Sequence, residues 1–144
     1  MNMNLFIKAL IIFLLPIKLM AQNNILFMSA TEIAAKIRNK EVTSYEVVSA
    51  YLHQLEAQNG IYNAVVLVDK DNALRQAKLA DESIKKGDNL GKLHGVPITI
   101  KDNYLIQGLT TTSGYEPLRN HIPTKDAELV KLLKSEGEIG RAHV

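Results

Sequence analysis

Helix-length and strand-length segments alternate along this chain, and that alternation limits its fold more than any other feature. The run 64–68 (Ala-Val-Val-Leu-Val) is short, β-branched and bounded by polar residues, the pattern of a strand buried on both faces. Helix signals flank it. Ser29 is followed three residues on by Glu32, and Thr43 by Glu46, so in each pair a hydroxyl oxygen and a carboxylate can reciprocally satisfy free helix amides. The helix starting at Thr43 carries Val47, Val48, Tyr51, Leu52 and Leu55 on one stripe and is expected to stop at Asn59-Gly60. A third helix, 72–86, turns Ala73, Leu74, Ala77, Ala80 and Ile84 inward and ends at Gly87. Residues 97–100 read as a second strand, 87–92 as a flexible connection and 110–123 as a long loop rich in Thr, Gly and Pro. A last helix, capped by Thr124 or Asp126, runs through Leu129, Val130, Leu132 and Leu133 to Gly137. Helices alternating with strands specify an α/β arrangement.

The composition fits a globular chain: of 144 residues, 47% are hydrophobic and 22% charged. Seventeen basic against 15 acidic residues leave a net charge of +2, far from the basic footprint that neutralises phosphates, so nucleic acid is not an expected partner. Cysteine is absent, which removes disulfides, thiolate nucleophiles and Cys-ligated metals. His53, His94, His121 and His143 are scattered and read as surface residues; no metal site and no cofactor are expected.

The N-terminus speaks to compartment. Lys8 precedes an apolar run from 9 to 17, and Leu19-Met20-Ala21 offers a small residue before Gln22, the order of a secretory signal peptide over residues 1–21. The run is too short for a typical membrane span, and Lys18 interrupts it. The expected product is periplasmic or secreted, without stable membrane insertion after cleavage; an uncleaved anchor or amphipathic leader is the alternative.

Residues 93–103, Leu-His-Gly-Val-Pro-Ile-Thr-Ile-Lys-Asp-Asn, carry the densest chemical signal. Side chains alternate there, so Val96, Ile98 and Ile100 share one face while Thr99 and Lys101 point to the other. Lys101 is thus expected at the end of an apolar strand with its ammonium partly desolvated. Burial disfavours the charged form and frees the neutral amine to act as a base. Chemistry alone leaves a second reading open, a solvated strand-end lysine or the ion-pair partner of Asp102, which is the commoner fate of a lysine. Asp102 itself reads either as a group ordering the lysine loop through backbone hydrogen bonds or as a plain turn residue.

This segment resembles the lysine motif of the amidase-signature family: glycine, a branched aliphatic, proline, then Lys-Asp a few residues on. The similarity extends from Ser29 to Gly137. Ser29-Ala30-Thr31-Glu32-Ile33, Arg38 and Val42-Thr43-Ser44 resemble the family's first two helices, and Asn63-Ala64-Val65 its first strand. Residues 77–81 resemble the helix before the lysine strand, 108–114 the Thr-rich loop after it, and 126–137 the next helix. The resemblance implies the N-terminal part of a large single α/β domain, a mixed sheet covered by helices, and hydrolysis of a small-molecule carboxamide through an acyl-enzyme. It implies that Lys101 is the neutral catalytic lysine, working through a serine on a cis peptide. It further implies that Thr111, Thr112, Ser113 and Gly114 border the substrate, a plain polar turn being the other reading.

Neither family serine motif is present: Ser83, Ser113 and Ser135 lack glycine- and serine-rich surroundings, and no Gly-x-Ser-x-Gly elbow occurs. The expected division is a signal peptide over 1–21, a truncated amidase part over 22–137 and a non-native tail over 138–144. Reverse-translated as GAG ATC GGA AGA GCA CAC GTC, that tail matches from its second base the start of a common sequencing adapter. The expectation is therefore a gene fragment read into adapter, ending before the next strand forms; the alternative is a divergent natural C-terminus. Three functions compete: an exported amidase, the glutaminase subunit of a transfer-RNA amidotransferase, and a non-catalytic binding module. The leader argues against the second, and fold alone does not exclude the third.

Overall fold

Both helix starts marked in the sequence form as their residues dictate. The computed structural model describes residues 25–144, apart from the side chain of Arg141. The expected signal peptide lies outside them. Helix α1, Ala30–Arg38, opens on Ser29, whose Oγ accepts from the Glu32 amide while the Glu32 carboxylate reaches back to the Ser29 amide. Helix α2, Ser44–Tyr62, opens on the same reciprocal arrangement between Thr43 and Glu46. It does not stop at Asn59-Gly60. The Asn59 side chain is engaged elsewhere, donating to the Val65 carbonyl at 2.7 Å and accepting from its amide at 2.9 Å. The helix runs on to Asn63, which adopts the left-handed turn at φ 49°.

The strand expected over 64–68 is shorter than its composition implies. Only Leu67–Val68 pairs, as β1, and Val66 is 64% exposed, so the run is not buried on both faces. Asp69 then caps α3, Lys70–Lys86, which begins two residues before its expected start and ends on left-handed Gly87. Strand β2 is Pro97–Ile100. After a 3-10 turn at Glu116–Leu118, helix α4 covers Glu128–Ser135 without a side-chain cap. Asp126, expected as a cap, instead accepts from the Gln107 amide at 2.8 Å and pairs with Lys134 at 2.7 Å. Leu129 and Leu132 face outward, leaving Val130 as the buried residue of that helix.

The strand that the chain's ending was expected to cut short does form. Ile139–His143 is β3, the middle strand of the order β1-β3-β2, antiparallel to β1 and parallel to β2. Its ladder is made of backbone groups, so the pairing carries no information about where these residues come from. The result is a mixed sheet between helices. On one side Val48 and Leu52 of α2 and Ala73 and Ala77 of α3 pack on Ile139. A second cluster, Ile100, Ile106, Leu109 and Val130, includes α4 and the loop after β2. A third cluster joins α1 to α2 and to Val96. Val96 and Ile100 therefore lie in different clusters with Ile98 touching both, because the β2–β3 register shifts between Ile98 and Ile100. Among the described residues no helix is long and apolar enough to cross a membrane.

Candidate active site

The strand β2 delivers Lys101 to an open cleft. Lys101, Ser113 and Gly114 line a cavity of about 270 Å³ together with Val66, Asp102, Asn103 and Val144. An adjoining cavity of about 310 Å³ shares Val66, Asp102 and Gly114 and adds Thr110 and Thr112. Lys101 is exposed rather than partly desolvated, and no hydrogen-bond or ion-pair partner for its Nζ is found among the described residues. The desolvation expected from the apolar strand is missing because Lys101 lies one residue past β2, where none of the described residues covers it. The alternative pairing with Asp102 does not occur either.

Asp102 is committed elsewhere. Its Oδ1 accepts from the Thr112 amide at 2.9 Å, its Oδ2 from the Thr112 hydroxyl at 2.5 Å, and its carbonyl oxygen from the Ser113 amide at 2.7 Å. Partial burial pushes the Asp102 carboxyl up, but the Thr112 hydroxyl and amide, then the nearby His143 and the Gly114 amide, outweigh it and hold the group below the usual carboxylate range. Ser113 and Gly114 follow with left-handed φ of 55° and 67°. Of the residues expected to border a substrate, Ser113 and Gly114 thus line the same cavity as Lys101, and Thr112 lines the adjoining one. Thr111 lines neither. It is 2% exposed, and its hydroxyl lies 3.1 Å from the Leu109 carbonyl and 3.2 Å from His143 Nε2.

His143 overturns its reading as a surface residue. It is fully buried, with Nδ1 3.1 Å from the Ile100 carbonyl and Nε2 4.0 Å from Asp102 Oδ1, because β3 lies between two other strands. A separate apolar cavity of about 190 Å³ lies between α2 and the sheet and offers only the Tyr51 and Thr99 hydroxyls as polar side-chain groups. Burial pushes the Tyr51 phenol up, which favours its neutral, protonated form.

The other end of β2 holds a lock that the sequence reading passed over. Ser44 is fully buried and donates its hydroxyl to the Gly95 carbonyl at 2.7 Å, while Asp81 accepts from the Ser44 and Tyr45 amides at 2.7 and 3.1 Å. Asp81 stands in for a helix cap delivered from α3. Its signal was present as a lone carboxylate beside the apolar stripe of Ala73, Ala77, Ala80 and Ile84, where a charge needs partners. The 87–92 connection is likewise pinned: the Leu93 amide donates to the Glu136 carbonyl and the Lys92 amide to its carboxylate.

A family model described as Amidase matches residues 46–143. The chain belongs to the amidase family. It is 40% identical over 112 residues to the A subunit of the glutamyl-tRNA(Gln) amidotransferase of Streptomyces avermitilis, covering 78% of this chain and 22% of that protein. To an acylamidase of Rhodococcus erythropolis it is 36% identical over 118 residues, covering 82% and 25%. Among solved structures, a fatty acid amide hydrolase superposes with a TM-score of 0.80 at 29% identity over 85% of this chain and 22% of its own. The peptide amidase of Stenotrophomonas maltophilia gives 0.74 at 28% identity over 81% and 24%. The chain spans about a quarter of the length of these amidase relatives.

Proposed function

We propose that this chain opens an exported amidase that hydrolyses a linear carboxamide through an acyl-serine, with neutral Lys101 as the base. The observation that carries the reading is the placement of Lys101: it lines a cleft with Ser113 and Gly114, and its Nζ has no partner among the described residues. A serine hydroxyl is a poor nucleophile until a base takes its proton, and a lysine amine does so once it has lost its own. A lysine serves as that base where burial favours its neutral form. The working enzyme therefore needs further residues both to cover Lys101 and to supply the nucleophilic and relaying serines. Backbone amides beside that nucleophile would hold the developing oxyanion.

The test is substitution in the complete enzyme. Lys101→Ala is expected to lower turnover of an amide by roughly 10²–10⁴-fold, the usual contribution of a general base. Lys101→Arg is expected not to rescue it, since a guanidinium keeps its proton at any usable pH. Substantial turnover by the arginine variant would make Lys101 electrostatic or structural.

A second reading, the glutaminase subunit of a transfer-RNA amidotransferase, draws on the name of the 40%-identical Streptomyces relative. Compartment separates the two. Export predicts a mature N-terminus at or near Gln22, read by mass spectrometry, whereas an intact Met1 on a cytoplasmic product favours the glutaminase.

A further inference from the structure

We propose that Asp102 and Thr112 form a positioning clamp that aims Lys101 and keeps the neighbouring carboxylate off its amine; this rests on the amidase reading of Lys101. Lys101 Nζ has no partner among the described residues, so its placement rests on its backbone, and that backbone is tied down across the cleft. Three bonds join the residue after Lys101 to the opposite turn: Thr112 amide to Oδ1, Thr112 hydroxyl to Oδ2, and Ser113 amide to the Asp102 carbonyl. The Lys101 carbonyl accepts from the Tyr104 amide at 3.0 Å, closing its own turn. Thr112 is braced in its place, because its Oγ1 accepts from the Gly114 amide at 3.0 Å and its carbonyl from the Tyr115 amide at 2.9 Å. Ser113 is held by the same contacts in a left-handed conformation, φ 55°, that a non-glycine residue seldom adopts unaided.

The clamp also has an electrostatic consequence. An aspartate adjacent to a lysine would ordinarily be free to pair with it, and an ion pair keeps an amine protonated. Here both carboxylate oxygens are occupied by Thr112 donors, so Lys101 stands beside a negative charge without contacting it. Among the described residues the other ionisable group facing Asp102 is buried His143, with Nε2 4.0 Å from Oδ1.

The experiment is the pH profile of kcat for the complete enzyme on an aryl amide, p-nitroacetanilide, with Lys101→Ala, Thr112→Val, Thr112→Ser and Asp102→Asn assayed together. Thr112→Val keeps the shape but frees Oδ2, and its rising limb is expected about one pH unit higher, a roughly tenfold loss near neutral pH that recovers in alkali. Thr112→Ser restores the hydroxyl and is expected to recover most of the loss. Asp102→Asn has no charge to release, so its limb does not move upward even where kcat falls. The clamp is overturned if Lys101→Ala is inactive while the Thr112→Val limb coincides with wild type, or if Asp102→Asn moves upward as Thr112→Val does. Should Lys101→Ala keep both turnover and pH limb, the base reading fails and the clamp falls with it. Thermal melts identify a misfolded Thr112→Val, and the serine and asparagine profiles then decide alone.

Discussion

The two ends of the lysine strand differ in almost every physical respect, although only a few residues separate them. At Gly95 the chain is buried: Val96 is 1% exposed, Ser44 is fully buried, and Asp81 satisfies the helix amides behind it. At Lys101 the chain is open, tethered beside it by the two bonds that Thr112 donates to the Asp102 carboxylate. One end fixes where the strand goes. The other presents Lys101 at a point held by hydrogen bonds rather than by packing, which suits the proton transfer proposed for it.

The largest test of this contrast removes everything but the described part. Among the described residues neither outer edge of the three-stranded sheet is paired, and Val66, Ile122 and Leu132 are more than half exposed. Open edges beside apolar surface favour aggregation. A polypeptide of residues 22–144 alone is therefore expected to release no product from an aryl amide, and to precipitate or unfold without a cooperative transition. A sharp melt from a monodisperse monomer would show that the Gly95 end alone suffices for a domain, and would favour the binding-module reading.

Next in size is a pair of glycines that share a backbone conformation but not their surroundings. Gly95 and Gly114 both have positive φ, 75° and 67°. A Cβ on Gly95 would sit 2.8 Å from the Ser44 Cβ and Oγ, whereas on Gly114 it meets nothing within 4 Å. Gly114→Ala should therefore carry only the left-handed penalty, about 1–2 kcal/mol. Gly95→Ala adds overpacking of about 1–3 kcal/mol, for a total of roughly 2–5 kcal/mol. Denaturant unfolding of the complete enzyme measures both. Equal losses would mean that the Ser44 contact relaxes freely and the buried end is no lock.

What was legible in the sequence follows the same division between local and distant causes. The capping boxes at Ser29 and Thr43 and the glycine stop at Gly87 were readable because each is decided within a few residues. The ends of β1 were not, since pairing with β3 decides them and composition does not. Thr111 and Thr112 look alike in sequence, but one turns into the core toward His143 and the other into the cleft, a choice made by the loop's path. The lysine motif was readable as a resemblance. Its solvent exposure was not, because the apolar pattern of a strand does not report what stands over the strand's end.

A smaller effect is expected at the start of α2, which supports the buried end. Thr43→Ala removes the hydroxyl that accepts from the Glu46 amide and leaves the Glu46 carboxylate one partner fewer. The expected loss is about 1 kcal/mol, with turnover unchanged, because Lys101 lies at the far end of β2. A fall in kcat without a fall in stability would show that the two ends communicate.

The smallest expected effect is the pH dependence that Asp102 lends to the exposed end. Its carboxyl is held below its ordinary value in the folded protein, so the folded state prefers it ionised. The sign follows: its contribution is fully present above the ordinary aspartate pKa, about 3.9, and is lost as pH falls through the lower folded value. Glu32, Glu41 and Glu56 are also held low by their own partners, so a single acid melt would mix all four. Subtraction isolates one. The thermal midpoint of wild type minus that of Asp102→Asn should be constant from pH 7 to about pH 5, and should shrink below about pH 4 as the wild-type carboxyl protonates. The gap should stay modest throughout, because the group lies at the edge of an open cleft where solvent screens it. A gap that widens toward acid would mean that neutral Asp102 is the preferred folded form, and that its bonds to Thr112 do not depend on charge.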